Sequence, residues 1–206
     1  MQTVLDQGDI DQSVLDAMDA IDRSLFVPSF MHEHVYEDSA LPIGEGQTIS
    51  QPSLVAQMIT LLGLDKTAKV LEIGTGCGYQ TAILSRLAGR VFSLEYNEKL
   101  AKSAYLRLET LRHKQIVRNN IVLRKGNGWL GWPQQIDFQA IIVSAAAAHL
   151  PQKLCEQLDL KQSVMVIPIG LQNDTQKLIC LKVKDGKPEY HEITNVKFVP
   201  LIDHLV

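Results

Sequence analysis

Apolar residues recur at helical spacing at Val14, Leu15, Met18 and Ile21, which predicts an amphipathic helix from about Gln12 to Ile21, and Pro28 marks the irregular stretch that follows. From Tyr36 to Pro52 the chain is rich in Gly, Pro, Ser and Thr, which predicts one long loop. Loops of that length in compact domains usually carry function. A helical pattern returns from Leu54 to Leu62 and ends at Gly63. Strands and helices then alternate: strand Val70 to Ile73, helix Gln80 to Leu87, strand Val91 to Leu94, helix Glu98 to Leu111 and strand Ile121 to Leu123. Strand Ala140 to Ser144, helix Gln152 to Leu158 and strand Ser163 to Ile167 continue the series. Such alternation builds a parallel sheet covered on both faces. Two last extended runs, Lys177 to Lys184 and Glu189 to Phe198, are joined by Asp185-Gly186-Lys187-Pro188 and predict an antiparallel hairpin.

The expected architecture is therefore α/β and Rossmann-like, a mostly parallel sheet with a C-terminal antiparallel hairpin. That order resembles the S-adenosylmethionine-dependent methyltransferase fold. One domain over residues 1–206 is expected, with helices and a substrate loop in 1–65 and the cofactor-binding core and hairpin in 66–206. Ligands of open α/β sheets gather at the carboxyl ends of the strands. The candidate positions are thus Gly74 to Gly78, Glu95, Gly126-Asn127-Gly128 and Ser144 to His149. The Gly-Asn-Gly run serves equally well as a tight turn, and Ala145 to Ala148 equally well as the start of a helix.

The richest chemistry lies in Glu72-Ile73-Gly74-Thr75-Gly76-Cys77-Gly78-Tyr79-Gln80, where a strand ends in a glycine turn that opens a helix. Three alternate glycines let backbone amides approach a ligand, and the helix start adds unpaired N–H groups. The second strand closes on Glu95, an acid suited to ribose hydroxyls. The spacing is G-x-G-x-G and not the dinucleotide G-x-G-x-x-G. Glu72 two positions before the first glycine disfavours a pyrophosphate and suits a cationic ligand. S-adenosylmethionine, a sulfonium with an amino-acid tail, meets those conditions.

Composition narrows the field further. The net charge of −3 and isoelectric point near 6.1 provide no electrostatic footprint for nucleic acid. Cys77, Cys155 and Cys180 form no C-x-x-C pair, which suits a reducing cytoplasm better than a disulfide framework or a thiolate metal site. The six histidines make no metal-ligand pattern. Met1 to Ile10 lacks the apolar core of a signal peptide, and no apolar run approaches the length of a membrane span. Expected partners therefore include neither nucleic acid nor membrane.

Several blocks in order resemble the protein-L-isoaspartate (D-aspartate) O-methyltransferase family from about Val14 to Leu201. They are Leu25-Phe26-Val27-Pro28, Tyr36-Glu37-Asp38, Leu41-Pro42-Ile43-Gly44, Gly46-Gln47-Thr48-Ile49-Ser50-Gln51-Pro52, Val70 to Gln80 and Gly128-Trp129 with Gly131-Trp132. Asp137 to Val143, Pro168 with Gly170, and Phe198-Val199-Pro200-Leu201 complete the series. The resemblance implies an S-adenosylmethionine-dependent enzyme that methylates the carboxylate of isoaspartyl residues in damaged proteins, releasing S-adenosylhomocysteine and initiating repair. It implies an active-site role for Ser50. It also implies cofactor contacts from Thr48, Ile49, Glu72, Gly74, Thr75, Gly76 and Gly78, from Glu95 to the ribose, and from Asn127 with Gly128 near the adenine. No metal is implied.

The chain departs from the family pattern at Asn127, where Asp is usual. It departs also at Ser53, where an aromatic or histidine is common, at Ala147-Ala148-His149, and in a shorter N-terminus without a basic helix. Two competing readings are a non-catalytic S-adenosylmethionine-binding adaptor and a methyltransferase of another carboxylate.

Overall fold

The computed structural model describes residues 10–134 and 137–203. Nine of the ten residues from Met1 to Ile10 lie outside that range. The first helix, α1 (Gln12–Asp19), buries Val14, Leu15, Ala17 and Met18, as its apolar spacing requires. Two 3₁₀ turns follow, Arg23–Phe26 and Ser29–His34.

The expected loop from Tyr36 to Pro52 contains regular structure. β1 (Leu41–Gly44) and β2 (Gln47–Ile49) form an antiparallel two-stranded sheet with Leu41 opposite Ile49. Its turn is Glu45-Gly46, both at positive φ (52° and 69°), the geometry of a tight hairpin turn. Strands of four and three residues are too short to display a period of two, so the sequence reads as a loop. Helix α2 (Pro52–Leu62) starts two residues earlier than the apolar pattern, because proline needs no N–H partner in a first turn. Gly63 ends it in the left-handed region at φ 57°.

The core is a seven-stranded sheet in the order β5-β4-β3-β6-β7-β8-β9. Its strands are β3 (Lys69–Ile73), β4 (Arg90–Glu95), β5 (Ile121–Lys125), β6 (Ala140–Val143), β7 (Gln162–Ile169), β8 (Gln176–Lys184) and β9 (Lys187–Val196). The first five in that order are parallel, while β8 pairs antiparallel with both β7 and β9. The chain winds from β3 out to β5 and then returns to place β6 against β3. That return is the topological switch point, where a crevice opens at the strand ends.

Apolar layers cover both faces. One gathers Val70, Ile142 and the helices α2 and α3 (Tyr79–Leu87); the other gathers Leu71, Ile73, Ile141, Val143, Phe138 and Trp132. Helix α4 (Glu98–His113) is capped by Asn97, whose side chain accepts from the Lys99 and Leu100 amides.

Three expectations are corrected. The expected helix Gln152 to Leu158 is only α5 (Gln152–Cys155), since Leu158 bridges to Phe138 in extended geometry. Ala145 to Ala148 does not start a helix: the Ala146 amide donates to the Val199 carbonyl and the Ala147 amide to the Pro168 carbonyl. The last hairpin turns on Asp185-Gly186 alone (φ 49° and 72°), which frees Lys187 and Pro188 to begin β9, an edge strand that tolerates proline.

Candidate active site

The crevice at the switch point is a cleft of about 670 Å³, within the range of small-molecule sites. Its floor is the glycine turn. Gly74, Gly76 and Gly78 all have positive φ (91°, 55° and 90°), which an L side chain adopts only with strain. A Cβ on Gly74 would also stand 3.4 Å from Ser144 of the facing strand end. The turn is fixed from below: the Gly74 amide donates to the Leu94 carbonyl at 2.8 Å.

Glu95 ends β4 in the cleft wall. One carboxylate oxygen accepts from the Gly76 amide at 2.8 Å and the other from the Asn97 amide at 2.9 Å. A carboxylate has further lone pairs, so Glu95 is held in place with acceptor capacity remaining. Gly126, Asn127 and Gly128 form the neighbouring wall. A Cβ on Gly128 would lie 2.4 Å from the Ile73 side chain, so this position needs glycine. The Asn127 side-chain oxygen accepts from the Trp129 amide at 2.9 Å and caps a 3₁₀ turn.

Opposite these, Thr48, Ile49 and Ser50 close the cleft from the hairpin side. The Ser50 carbonyl accepts from Arg23, whereas its hydroxyl has no hydrogen-bond partner among the described residues. The cleft thus brings Ser50, Thr48, Ile49, Gly74, Thr75, Gly76, Glu95, Asn127 and Gly128 into one site.

Two of the expected cofactor residues are not in the wall. Side chains alternate along a strand, so Glu72 points with Val70 toward the helix face of the sheet and not into the cleft. It is fully buried and accepts from Gln80 at 3.0 Å, Thr81 at 2.5 Å and Ser93 at 2.6 Å. Burial pushes its carboxyl up to about 7 against those three hydrogen bonds, with the nearby Glu95 charge adding a smaller push. Gln80, which Glu72 holds, does line the cleft and also donates to the Ser144 hydroxyl at 3.0 Å. Gly78 lies behind the turn as the start of α3, where an added Cβ would press on Leu108.

The sequence reading missed one wall. Val199, Pro200, Leu201 and Ile202 line the cleft after β9 ends. Buried Gln176 steers them there by pinning both the amide and the carbonyl of Phe198, at 2.6 and 3.1 Å. Val199 to Leu201 belonged to a family block, but they carry no reactive side chain to mark them as a site. Ser53 and His149 lie elsewhere. Ser53 is buried and bonded to Asp38 through its amide (2.8 Å) and hydroxyl (2.7 Å), and His149 packs on Trp129 at 5.0 Å. Among the described residues, no group of three His, Cys, Asp or Glu side chains could hold a metal ion. No helix there is long and apolar enough to cross a membrane.

Comparison with known proteins bears on what fills this cleft. A family model described as protein-L-isoaspartate (D-aspartate) O-methyltransferase matches residues 1–206. A protein-L-isoaspartate O-methyltransferase from Alteromonas mediterranea is 43% identical over 98% of this chain and 92% of its own length. One from Yersinia enterocolitica is 44% identical over 98% and 95%. A solved structure of a protein of that name superposes with a TM-score of 0.85 at 29% identity, covering 97% of this chain and 63% of that one. A Plasmodium falciparum chain named for the same activity, crystallised with S-adenosyl-L-homocysteine, shares the fold with a TM-score of 0.80 at 23% identity over 98% of this chain and 93% of its own.

Proposed function

Because the chain belongs to the protein-L-isoaspartate (D-aspartate) O-methyltransferase family, we propose that Ser50 aims the substrate carboxylate across the cleft. On the same reading, the glycine turn, Glu95 and the Asn127-Gly128 wall hold the cofactor. The protein is an S-adenosylmethionine-dependent carboxyl methyltransferase of isoaspartyl residues, and the adaptor reading is not favoured. Its substrates are damaged proteins and peptides carrying that residue, in the reducing cytoplasm that three cysteines free of disulfides would suit.

S-adenosylmethionine supplies a methyl group on a positively charged sulfur. The nucleophile is a carboxylate with an ordinary pKa near ~4, already ionised at neutral pH, so the protein need not supply a base. Two wall groups of higher pKa are held out of such a role by burial. Burial pushes the Cys77 thiol up to about 11 and the Tyr79 phenol up to about 12, so both stay protonated at neutral pH. Glu72, with its carboxyl near 7, faces away from the cleft.

What remains for the protein is placement. Aligning reactants is worth up to roughly 7 to 11 kcal/mol. Attack of an anion on a sulfonium consumes charge, so a donor on the attacking oxygen would hold back its lone pair. A Ser50 hydroxyl on the other carboxylate oxygen orients the group without that penalty. The observation that carries this reading is the Ser50 hydroxyl, unpartnered among the described residues, in the wall shared with the glycine turn. Incubation with tritiated S-adenosylmethionine and either an isoaspartyl peptide or its normal aspartyl isomer tests the activity. A base-labile methyl ester on the isoaspartyl peptide is expected, and equal labelling of both peptides would sink the assignment.

A further inference from the structure

Ser50 sits at one foot of the β1–β2 hairpin, and Ser39 is close to the other, just before Leu41 pairs with Ile49. Arg23 reaches both. Its two terminal nitrogens donate to the Ser50 carbonyl at 2.8 Å and the Ser39 carbonyl at 3.0 Å. The guanidinium lies 5.7 Å over the ring of Tyr79, and Tyr79 is itself a cleft residue just after the glycine turn. One planar group thus touches both feet of the substrate-side hairpin and the cofactor-side helix. Arg23 is only 3% exposed, makes no salt bridge among the described residues, and leaves Nε without a partner.

Asp38 attracts this cation without forming a salt bridge to it, and a buried cation so loosely matched is a costly way to hold a fold together, work that a well-packed apolar side chain commonly does at least as well. Its fork geometry matches two carbonyls at a fixed spacing, which neither an apolar side chain nor the compact ammonium of lysine reproduces. We propose that Arg23 is a positioning residue for methyl transfer: by holding the Ser39 and Ser50 carbonyls on one guanidinium stacked against Tyr79, it sets where the Ser50 hydroxyl stands relative to the cofactor wall. This rests on the role of Ser50 proposed above.

The test is a double-mutant cycle in the full chain, with R23K, S50A and the double variant assayed on an isoaspartyl peptide. R23K is expected to lose on the order of 10-fold or more in kcat, because displacements of about 1 Å are felt that strongly. Its S-adenosylmethionine affinity, read by calorimetry, should stay within about twofold of wild type, since the glycine turn and Glu95 are held by other bonds. On the S50A background, R23K should cost less than about twofold in kcat, because what it positions is gone. The same fold-loss in both backgrounds, or a loss of cofactor affinity that accounts for the kcat change, overturns the proposal. A wild-type kcat in S50A alone overturns instead the role of Ser50, so the two failures are distinguishable. Urea unfolding is recorded for each variant. If R23K is unfolded at the assay temperature, R23Q replaces it and is read by the same criteria.

Discussion

The two sides of the cleft are built by different means. On the cofactor side, three walls are extensions of the parallel sheet: the Gly74 amide bonds to Leu94, the Gly126 amide to Glu95 and the Ser144 amide to Ile73, all through backbone carbonyls. The proposed substrate side is a separate two-stranded hairpin that, among the described residues, is not hydrogen-bonded into the seven-stranded sheet. Side chains hold its ends, Arg23 on the Ser39 and Ser50 carbonyls and Asp38 on Ser53 at the start of α2. A ladder of backbone bonds distributes any disturbance over many partners, whereas a few side-chain anchors pass it directly to the residue they hold. Changes at the anchors of the hairpin, as distinct from Thr48 and Ile49 in the cleft wall itself, should therefore alter turnover and peptide binding while sparing the cofactor.

The sharpest expression of that difference is Ser50→Ala. Turnover is expected to fall by about 10²- to 10³-fold, roughly 3 to 4 kcal/mol of lost transition-state placement, with cofactor affinity nearly unchanged. Steady-state kinetics on the isoaspartyl peptide beside calorimetry with S-adenosylmethionine checks it. A parallel loss of both would erase the distinction between the two sides.

Glu72→Gln probes the cofactor side from beneath. The folded carboxyl titrates near 7, above its ordinary value of 4.5, so the folded state binds the proton more tightly than the unfolded chain. The stabilising contribution of the protonated form is fully present below pH 4.5 and is lost as pH rises through 7. That loss is on the order of 3 kcal/mol. The glutamine variant should lack this fall, gaining on wild type between about pH 4.5 and 7 in urea unfolding. Cofactor affinity should drop only slightly, because Glu72 acts through Gln80 and not in the cleft wall. A large loss of affinity would show that Glu72 reaches the ligand after all.

Asp38→Ala acts on the opposite side. It leaves the buried Ser53 amide and hydroxyl without their acceptor, which should cost about 1 to 3 kcal/mol of stability. KM for the peptide should rise while cofactor affinity holds. Urea unfolding and peptide kinetics together check this, and an unchanged KM would mean that the Ser50 turn does not depend on Asp38.

The same contrast explains what could be read from the sequence. The parallel core announced itself because its strands are continuous apolar runs and its turns carry glycines at positions that require positive φ, as at Gly74 and Gly76. The place of Glu95 in the cleft wall was legible because it ends a strand. Glu72 was misplaced because its distance from the glycines suggested the cleft, whereas strand alternation turns it toward Thr81 and Ser93. The hairpin was illegible because strands of four and three residues show no period, and its anchors Arg23 and Asp38 are 27 and 15 residues away from what they hold. Val199 to Ile202 enter the cleft through Gln176, a contact across 22 residues that no local pattern encodes.

The smallest effect is expected at Asn127, and it tests whether the cofactor side is as finished as its backbone bonds suggest. The side-chain oxygen already accepts from the Trp129 amide, so a ligand meets its one remaining lone pair, pulled toward Trp129, or the amide NH₂, a donor. Adenine also offers an amino donor, and two donors facing one another gain nothing. Aspartate at this position could cap Trp129 with one oxygen and present the second as an acceptor, a charge-assisted bond worth about 1 kcal/mol more. Asn127→Asp should therefore tighten S-adenosylmethionine binding by roughly fivefold. S-adenosylhomocysteine, which shares the adenosine, should gain by the same factor, while kcat at saturating cofactor stays constant. If calorimetry shows no gain, or weaker binding, the Asn127 amide donates to a ring nitrogen and this wall is already matched to its ligand.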